Sequence, residues 1–156
     1  MAAEAAMVAA PPAGWHQFPV RVYFEDTDAQ GVVYYANYLR FMERGRTEWL
    51  RSHGVEQDRL QSTHGLCFSI TAADVRFHRP ARFNDELVVR TRLAGRQRVR
   101  FLVDQEVRLA RDGTLLASAR CEAACLEAAG FRPRRIPPGI LPGLPAGELT
   151  DMDGNA

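Results

Sequence analysis

The chain has 156 residues, 46% of them hydrophobic and 25% charged, which suffices for one domain that buries about two thirds of its extended surface and requires no second domain. It carries 20 basic and 19 acidic residues and a formal charge of +1, so whole-molecule electrostatics give no argument for nucleic-acid binding. Every basic residue is an arginine, which excludes Schiff-base chemistry on lysine and leaves phosphate binding to guanidinium forks or backbone N–H groups.

Residues 1–16 are rich in alanine and proline and are expected to be flexible. They contain Glu4, lack a basic start and have no long apolar run, so they read neither as a signal peptide nor as a membrane span. The folded domain is expected over 17–138. Its first strand sets Phe18, Val20, Val22 and Phe24 on one side and Arg21 and Tyr23 on the other, and Pro19 favours an edge position. A polar loop over 25–31 follows, with Glu25, Asp26, Asp28 and Gly31, before the apolar run 32–35.

From Asn37 the period becomes helical. Tyr38, Phe41, Met42, Gly45 and Trp49 share one face of a helix over 37–53 that Gly54 ends. The apolar stripe is too broad for an isolated surface helix, which suggests a long central helix with a sheet curled round it. A short helical turn over 55–60 and a loop over 61–65 come next. Strand patterns then occupy 67–78, 87–93, 99–110 and 114–126, broken by Arg79-Pro80-Ala81-Arg82 and Arg111-Asp112-Gly113. Phe101, Val103, Gln105, Val107 and Leu109 fall on one face. Cys121 and Cys125, four apart on the last strand, read as inert core thiols; with Cys67 they suggest a reducing, cytoplasmic location. After Gly130 the chain is too rich in proline and glycine for helix or sheet, and 139–156 reads as a flexible tail. The order describes an α+β fold, a curved antiparallel β-sheet around a long helix.

Three acids just before a buried helix are unusual in a connector. A helix start exposes unpaired N–H groups and a positive dipole end, which can polarise a carbonyl and stabilise charge on its oxygen. A nearby carboxylate can attack that carbonyl or activate water. By local spacing alone, capping of the helix by Asp28 or Asn37 is the simpler reading.

The run Asp26, Thr27, Asp28, Ala29, Gln30, Gly31, Val32, Val33, Tyr34, Tyr35, Ala36, Asn37, Tyr38 resembles the nucleophile-loop motif of hotdog-fold acyl-CoA thioesterases, within the 4-hydroxybenzoyl-CoA thioesterase family and its Tol-Pal-associated branch. The likeness continues through Glu43, Arg44, Arg46, Thr47 and Glu48, less closely through PARFNDEL and RPRRIP, and spans roughly 18–138. It implies the hotdog fold and hydrolysis of an aromatic or short-to-medium acyl-CoA, with Asp28 as nucleophile or general base and the Tyr35 backbone N–H as oxyanion donor. Glu43 is a further catalytic candidate facing a neighbouring subunit's groove; an ion pair with Arg40, Arg44 or Arg46 is its structural alternative.

Gln30, Gly31, Tyr34, Tyr38, Phe68 and His78 are candidate substrate contacts. Arg82, Arg96, Arg98, Arg100, Arg132, Arg134 and Arg135 are candidates for coenzyme A phosphates. The resemblance implies a homodimer or homotetramer and no required cofactor, coenzyme A being part of the substrate and product. His16, His53, His64 and His78 lack metal-ligand spacing, and neither GxxxxGK[ST] nor GxGxxG occurs. One position departs from the branch, where histidine commonly follows Tyr34 and this chain has Tyr35. That leaves the subfamily and acyl group open. The alternatives are a non-catalytic acyl-CoA-binding protein and an acyl-thioester hydratase, the latter disfavoured because histidine-containing hydratase signatures are missing.

Overall fold

The computed structural model describes residues 9–141. Residues 1–8 and 142–156, which hold much of the two expected flexible ends, lie outside them. The elements are β1 (His16–Arg21), a 3-10 turn (Phe24–Asp26), α1 (Asn37–Ser52), α2 (Gln57–His64), β2 (Leu66–Phe77), β3 (Glu86–Arg96), β4 (Arg100–Leu109) and β5 (Leu115–Glu127). The five strands form one antiparallel sheet in the order β1-β3-β4-β5-β2. β1 is an edge strand, which lets Pro19 sit opposite Val88 without costing the sheet interior a hydrogen bond. Among the described residues, no helix is long and apolar enough to cross a membrane.

Three expected boundaries differ. The first strand stops at Arg21, not Phe24, because the Asp26 carboxylate accepts the Tyr23 N–H at 2.7 Å and curls the chain into a 3-10 turn that leaves Phe24 exposed. Residues 61–64, expected as loop, complete α2. Gly65 ends that helix in the left-handed conformation, φ 66°, and its N–H reaches the Gln61 carbonyl at 2.9 Å. The tail expected from 139 begins as packed chain: Leu141 is fully buried, and its carbonyl accepts from Arg96 Nη1 at 3.0 Å.

α1 buries Tyr38, Phe41, Met42, Gly45 and Trp49, and it packs against β1, β3 and β4. The closest approach is at Gly45, where a Cβ would lie 2.5 Å from Val89 Cγ1. Beside it the Gln105 side chain joins helix to sheet. Its Nε2 donates to the Met42 carbonyl and to Thr91 Oγ1, both at 2.9 Å, and its Oε1 accepts from Arg46 Nη1 at 2.9 Å. Gln105 and Thr91 are fully buried, so any of these groups left unpaired would cost about 1–3 kcal/mol.

The opposite face of the sheet is charged. Arg92, Asp104 and Arg120 stand on adjacent strands in direct register. Asp104 accepts from Arg120 at 2.7 Å and from Arg92 at 3.1 Å, and the Arg92 guanidinium lies 4.5 Å from the centre of the Trp15 ring. Burial opposes ionisation of Asp104, yet the two guanidinium groups hold its carboxyl below the ordinary aspartate value.

Gly45→Val forces new carbon atoms into space that Val89 occupies and is expected to destabilise the protein by about 2–3 kcal/mol in chemical denaturation. Val89→Ala in the same chain should recover part of that loss.

Candidate active site

The loop before α1 closes on itself. The Asp28 N–H reaches the Val32 carbonyl at 2.9 Å, the Gly31 N–H reaches the Asp28 carbonyl at 3.0 Å, and the Gln30 N–H reaches Asp28 Oδ1 at 2.8 Å. Gly31 has φ 78°, a conformation that disfavours a side chain there. The Asp26 carbonyl accepts from the Tyr34 N–H and from Asn37 Nδ2, both at 2.9 Å, which ties the near side of the loop to the helix.

Neither capping assignment survives. Asn37 directs its amide to Asp26, Asp28 holds its own turn, and the N-cap residue Ala36 makes no side-chain capping bond. Asp28 is half-buried, and among the described residues its Oδ2 has no hydrogen-bond partner. Asn37, Tyr38 and Leu39 direct their N–H groups to the carbonyls of Tyr34, Tyr35 and Ala36, whereas those of Tyr35 and Ala36 have no backbone acceptor among the described residues. A half-buried carboxylate therefore precedes a helix start with two unsatisfied donors.

Aromatic rings collect at that end of the molecule. Tyr34 and Tyr35 are exposed with ring centroids 5.0 Å apart, and Tyr35 meets Phe77 edge-on at 5.9 Å. Phe24 and Phe83, also exposed, pair at 6.0 Å. Sequence reading missed Phe77, Phe24 and Phe83, because nothing local signals contacts across 40 or more residues. Tyr38, expected as a substrate contact, is instead buried, and its hydroxyl accepts the Ala81 N–H at 2.9 Å.

Glu43 and Phe68 meet in a different place. Both line a cleft of about 140 Å³ between α1 and the sheet, with Arg46, Trp49 and Phe101, and neither Asp28 nor Tyr35 lines it. Glu43 pairs with none of the suggested arginines; Thr47 Oγ1 donates to it at 3.3 Å, while Glu48 pairs with Arg51. His78 is exposed, with Nε2 2.9 Å from Ser118 Oγ.

The two arginine groups that lie apart in sequence come together. The Ile136 N–H reaches the Arg98 carbonyl at 2.8 Å, and Leu126 bridges Pro133, which lays the segment carrying Arg132, Arg134 and Arg135 beside Arg98. A shallow hollow of about 620 Å³ is lined there by Gln97, Arg98, Arg100, Glu122 and Pro133. Arg100 pairs with Glu122 at 3.4 Å and Arg134 with Glu127 at 2.5 Å. Arg96 directs its guanidinium to the Pro137 and Leu141 carbonyls. Arg98, Arg132 and Arg135 have no carboxylate partner among the described residues. Arg82 stands apart from this cluster, its backbone bridged to Val32 in the Asp28 loop.

Burial pushes the Cys121 and Cys125 thiols above the ordinary cysteine value, as expected of core residues. No group of three or more His, Cys, Asp or Glu side chains is placed to hold a metal among the described residues.

A five-stranded antiparallel sheet with two helices between its first and second strands, and an acidic loop leading into the longer of them, defines the hotdog class of thioesterase folds. The chain belongs to the thioesterase-like superfamily, whose family model matches residues 22–144. It is 37% identical over 125 residues to the acyl-CoA thioester hydrolase YbgC of Escherichia coli, covering 80% of this chain and 92% of that protein. The acyl-CoA thioesterase YbgC of Haemophilus influenzae is 38% identical over 120 residues, covering 77% and 87%. Among solved structures, a probable thioesterase from Bartonella henselae superposes with TM-score 0.74 at 39% identity, over 79% of this chain and 99% of that one.

Asn37→Ala removes the amide that joins the Asp26 carbonyl to the helix. It is expected to lower stability by about 1 kcal/mol, read as a shift of the denaturant midpoint.

Proposed function

We propose that the protein is an acyl-CoA thioester hydrolase that converts an aromatic or short-to-medium acyl-CoA to the free acid and coenzyme A. The observation that carries this reading is the placement of Asp28, half-buried with one carboxylate oxygen unpartnered, in a closed loop before a helix start whose Tyr35 and Ala36 N–H groups lack backbone acceptors. The likeness to the YbgC thioesterases supports it.

In this reading the thioester carbonyl lies between Asp28 and the start of α1. Asp28 either bonds the acyl carbon directly or takes a proton from the water that does. As the carbonyl carbon becomes tetrahedral, negative charge gathers on its oxygen, where the Tyr35 N–H and the positive helix end stabilise it. Collapse of the adduct breaks the C–S bond and releases the coenzyme A thiolate, which takes up a proton. On the direct route water then cleaves the acyl–Asp28 anhydride. Tyr34, Tyr35 and Phe77 supply ring surface beside the reacting carbon, and Gln30 and Gly31 border it.

The coenzyme A phosphates are assigned to Arg98, Arg132 and Arg135, with Arg100 alongside. Three unpaired guanidinium groups next to a shallow hollow suit a polyphosphate better than a neutral ligand. α1 serves as the central helix of the hotdog, and a second copy adds along β2, an edge strand with Ile70 and Phe77 exposed. That homodimer would bring Glu43 toward the partner's groove.

Free-thiol release should be measured across benzoyl-type and straight-chain acyl-CoAs. Asp28→Asn is expected to fold normally and to lose about 10²-fold or more in kcat. An unchanged rate removes Asp28 from the mechanism, and saturable binding without thiol release by the unmodified protein would mark a non-catalytic binder. Arg98→Ala combined with Arg132→Ala should raise KM for acyl-CoA by about tenfold or more and leave KM for the corresponding acyl-pantetheine unchanged.

A further inference from the structure

Tyr38 lies in the first turn of α1, with its ring buried against Phe41 at 6.2 Å and Phe77 at 5.6 Å between centroids. Its hydroxyl accepts the N–H of Ala81 at 2.9 Å, and Ala81 is wholly buried. With Tyr38 in place, bulk water does not reach that N–H. Burial pushes the Tyr38 phenol above the ordinary tyrosine value, with the Ala81 N–H acting in the opposite sense, so the ring stays neutral at working pH.

From Ala81 the bonding continues into the loop. The Ala81 carbonyl accepts the Val33 N–H at 2.9 Å, Arg82 bridges Val32, and the Val32 carbonyl accepts the Asp28 N–H at 2.9 Å. The Arg82 N–H is held in turn by Asp85 Oδ2 at 2.9 Å. The far side of the Asp28 loop is thus fastened to a segment that Tyr38 fastens to the helix. The near side is fastened independently, through the Asp26 carbonyl to the Tyr34 N–H and Asn37 Nδ2. Tyr38 and the Tyr35 N–H belong to the same helix start, so the tether fixes the carboxylate relative to the donors that would face it across a carbonyl. A displacement near 1 Å between such groups can cost about 10²-fold in rate.

We infer that Tyr38 is a positioning residue: its hydroxyl, by accepting the Ala81 N–H, holds Ala81 and Arg82 against Val32 and Val33 and so sets Asp28 relative to the start of α1. The inference rests on the assignment of Asp28 as nucleophile or general base. A substrate-contact role would instead require the ring to be accessible, and it is only 3% exposed.

Tyr38→Phe keeps the ring and its aromatic contacts and deletes the oxygen alone. With an acyl-CoA that the unmodified protein hydrolyses, it is expected to lower kcat about tenfold while KM changes less than about twofold. In an Asp28→Asn background the same substitution should alter the residual rate less than about twofold, because the group it positions is already gone. A kcat at the unmodified level, or losses that multiply in the double variant, overturns the inference. Amide hydrogen exchange on the unmodified protein gives a second reading that does not depend on any variant folding. The Asp28, Val33 and Ala81 amides should open as one unit, with protection within about threefold of one another. Independent exchange of Ala81 overturns the tether. Full turnover by Asp28→Asn would instead sink the nucleophile assignment, and it would leave the shared exchange behaviour in place.

Discussion

How closely α1 can lie on β3 and β4 decides the rest of the structure. Gly45 has no Cβ, and one placed there would stand 2.5 Å from Val89 Cγ1, so the helix rests on the strand at a distance no other residue would permit. A glycine in a helix interior costs about 1 kcal/mol relative to alanine. At that separation Gln105 reaches from β4 to the Met42 carbonyl while also meeting Thr91 and Arg46, and these buried bonds offset the cost. Helix and sheet are therefore held in register by a buried amide whose every polar atom is paired, and the start of the helix is fixed in space along with its middle.

Against that fixed helix, two acids separated by one residue take opposite parts. Asp26 is structural: its carboxylate accepts from Tyr23 and its carbonyl from Tyr34 and Asn37, which shapes the turn and anchors it. Asp28 uses one oxygen to close its own loop through Gln30 and keeps the other without a protein partner among the described residues. A carboxylate that is oriented but not fully satisfied can form a new bond without first breaking an old one. The same economy holds at the helix start, where the first turn bonds tightly from Asn37 onward and leaves Tyr35 and Ala36 with donors to offer.

The arginines divide in a similar way. On the outer sheet face Arg92 and Arg120 are committed to Asp104, and near the hollow beside Arg98 the side chains of Arg100 and Arg134 are committed to Glu122 and Glu127. The arginine of each pair is more than a third exposed, and pairs so open to solvent add little stability individually. Their consequence is to separate arginines that complete the surface from Arg98, Arg132 and Arg135, whose charge has no protein partner in the described chain. Near-neutral net charge hides this division entirely.

Sequence alone determined the element order, the helix and its buried face, the four later strands to within three residues, and the acidic loop that the resemblance singled out. Those features follow from local period and turn chemistry, which the chain carries in each short segment. It misjudged the end of the first strand and the extent of α2, because the Asp26-to-Tyr23 bond and the left-handed Gly65 override the hydrophobic alternation nearby. Only the tertiary structure buried the Tyr38 ring, set Phe77 beside Tyr35, placed Glu43 in a cleft that Asp28 does not line and brought Arg98 next to the segment carrying Arg132 and Arg135. Each of these depends on strands and segments distant in sequence meeting at a particular register, and register is settled by the packing of the whole sheet on α1.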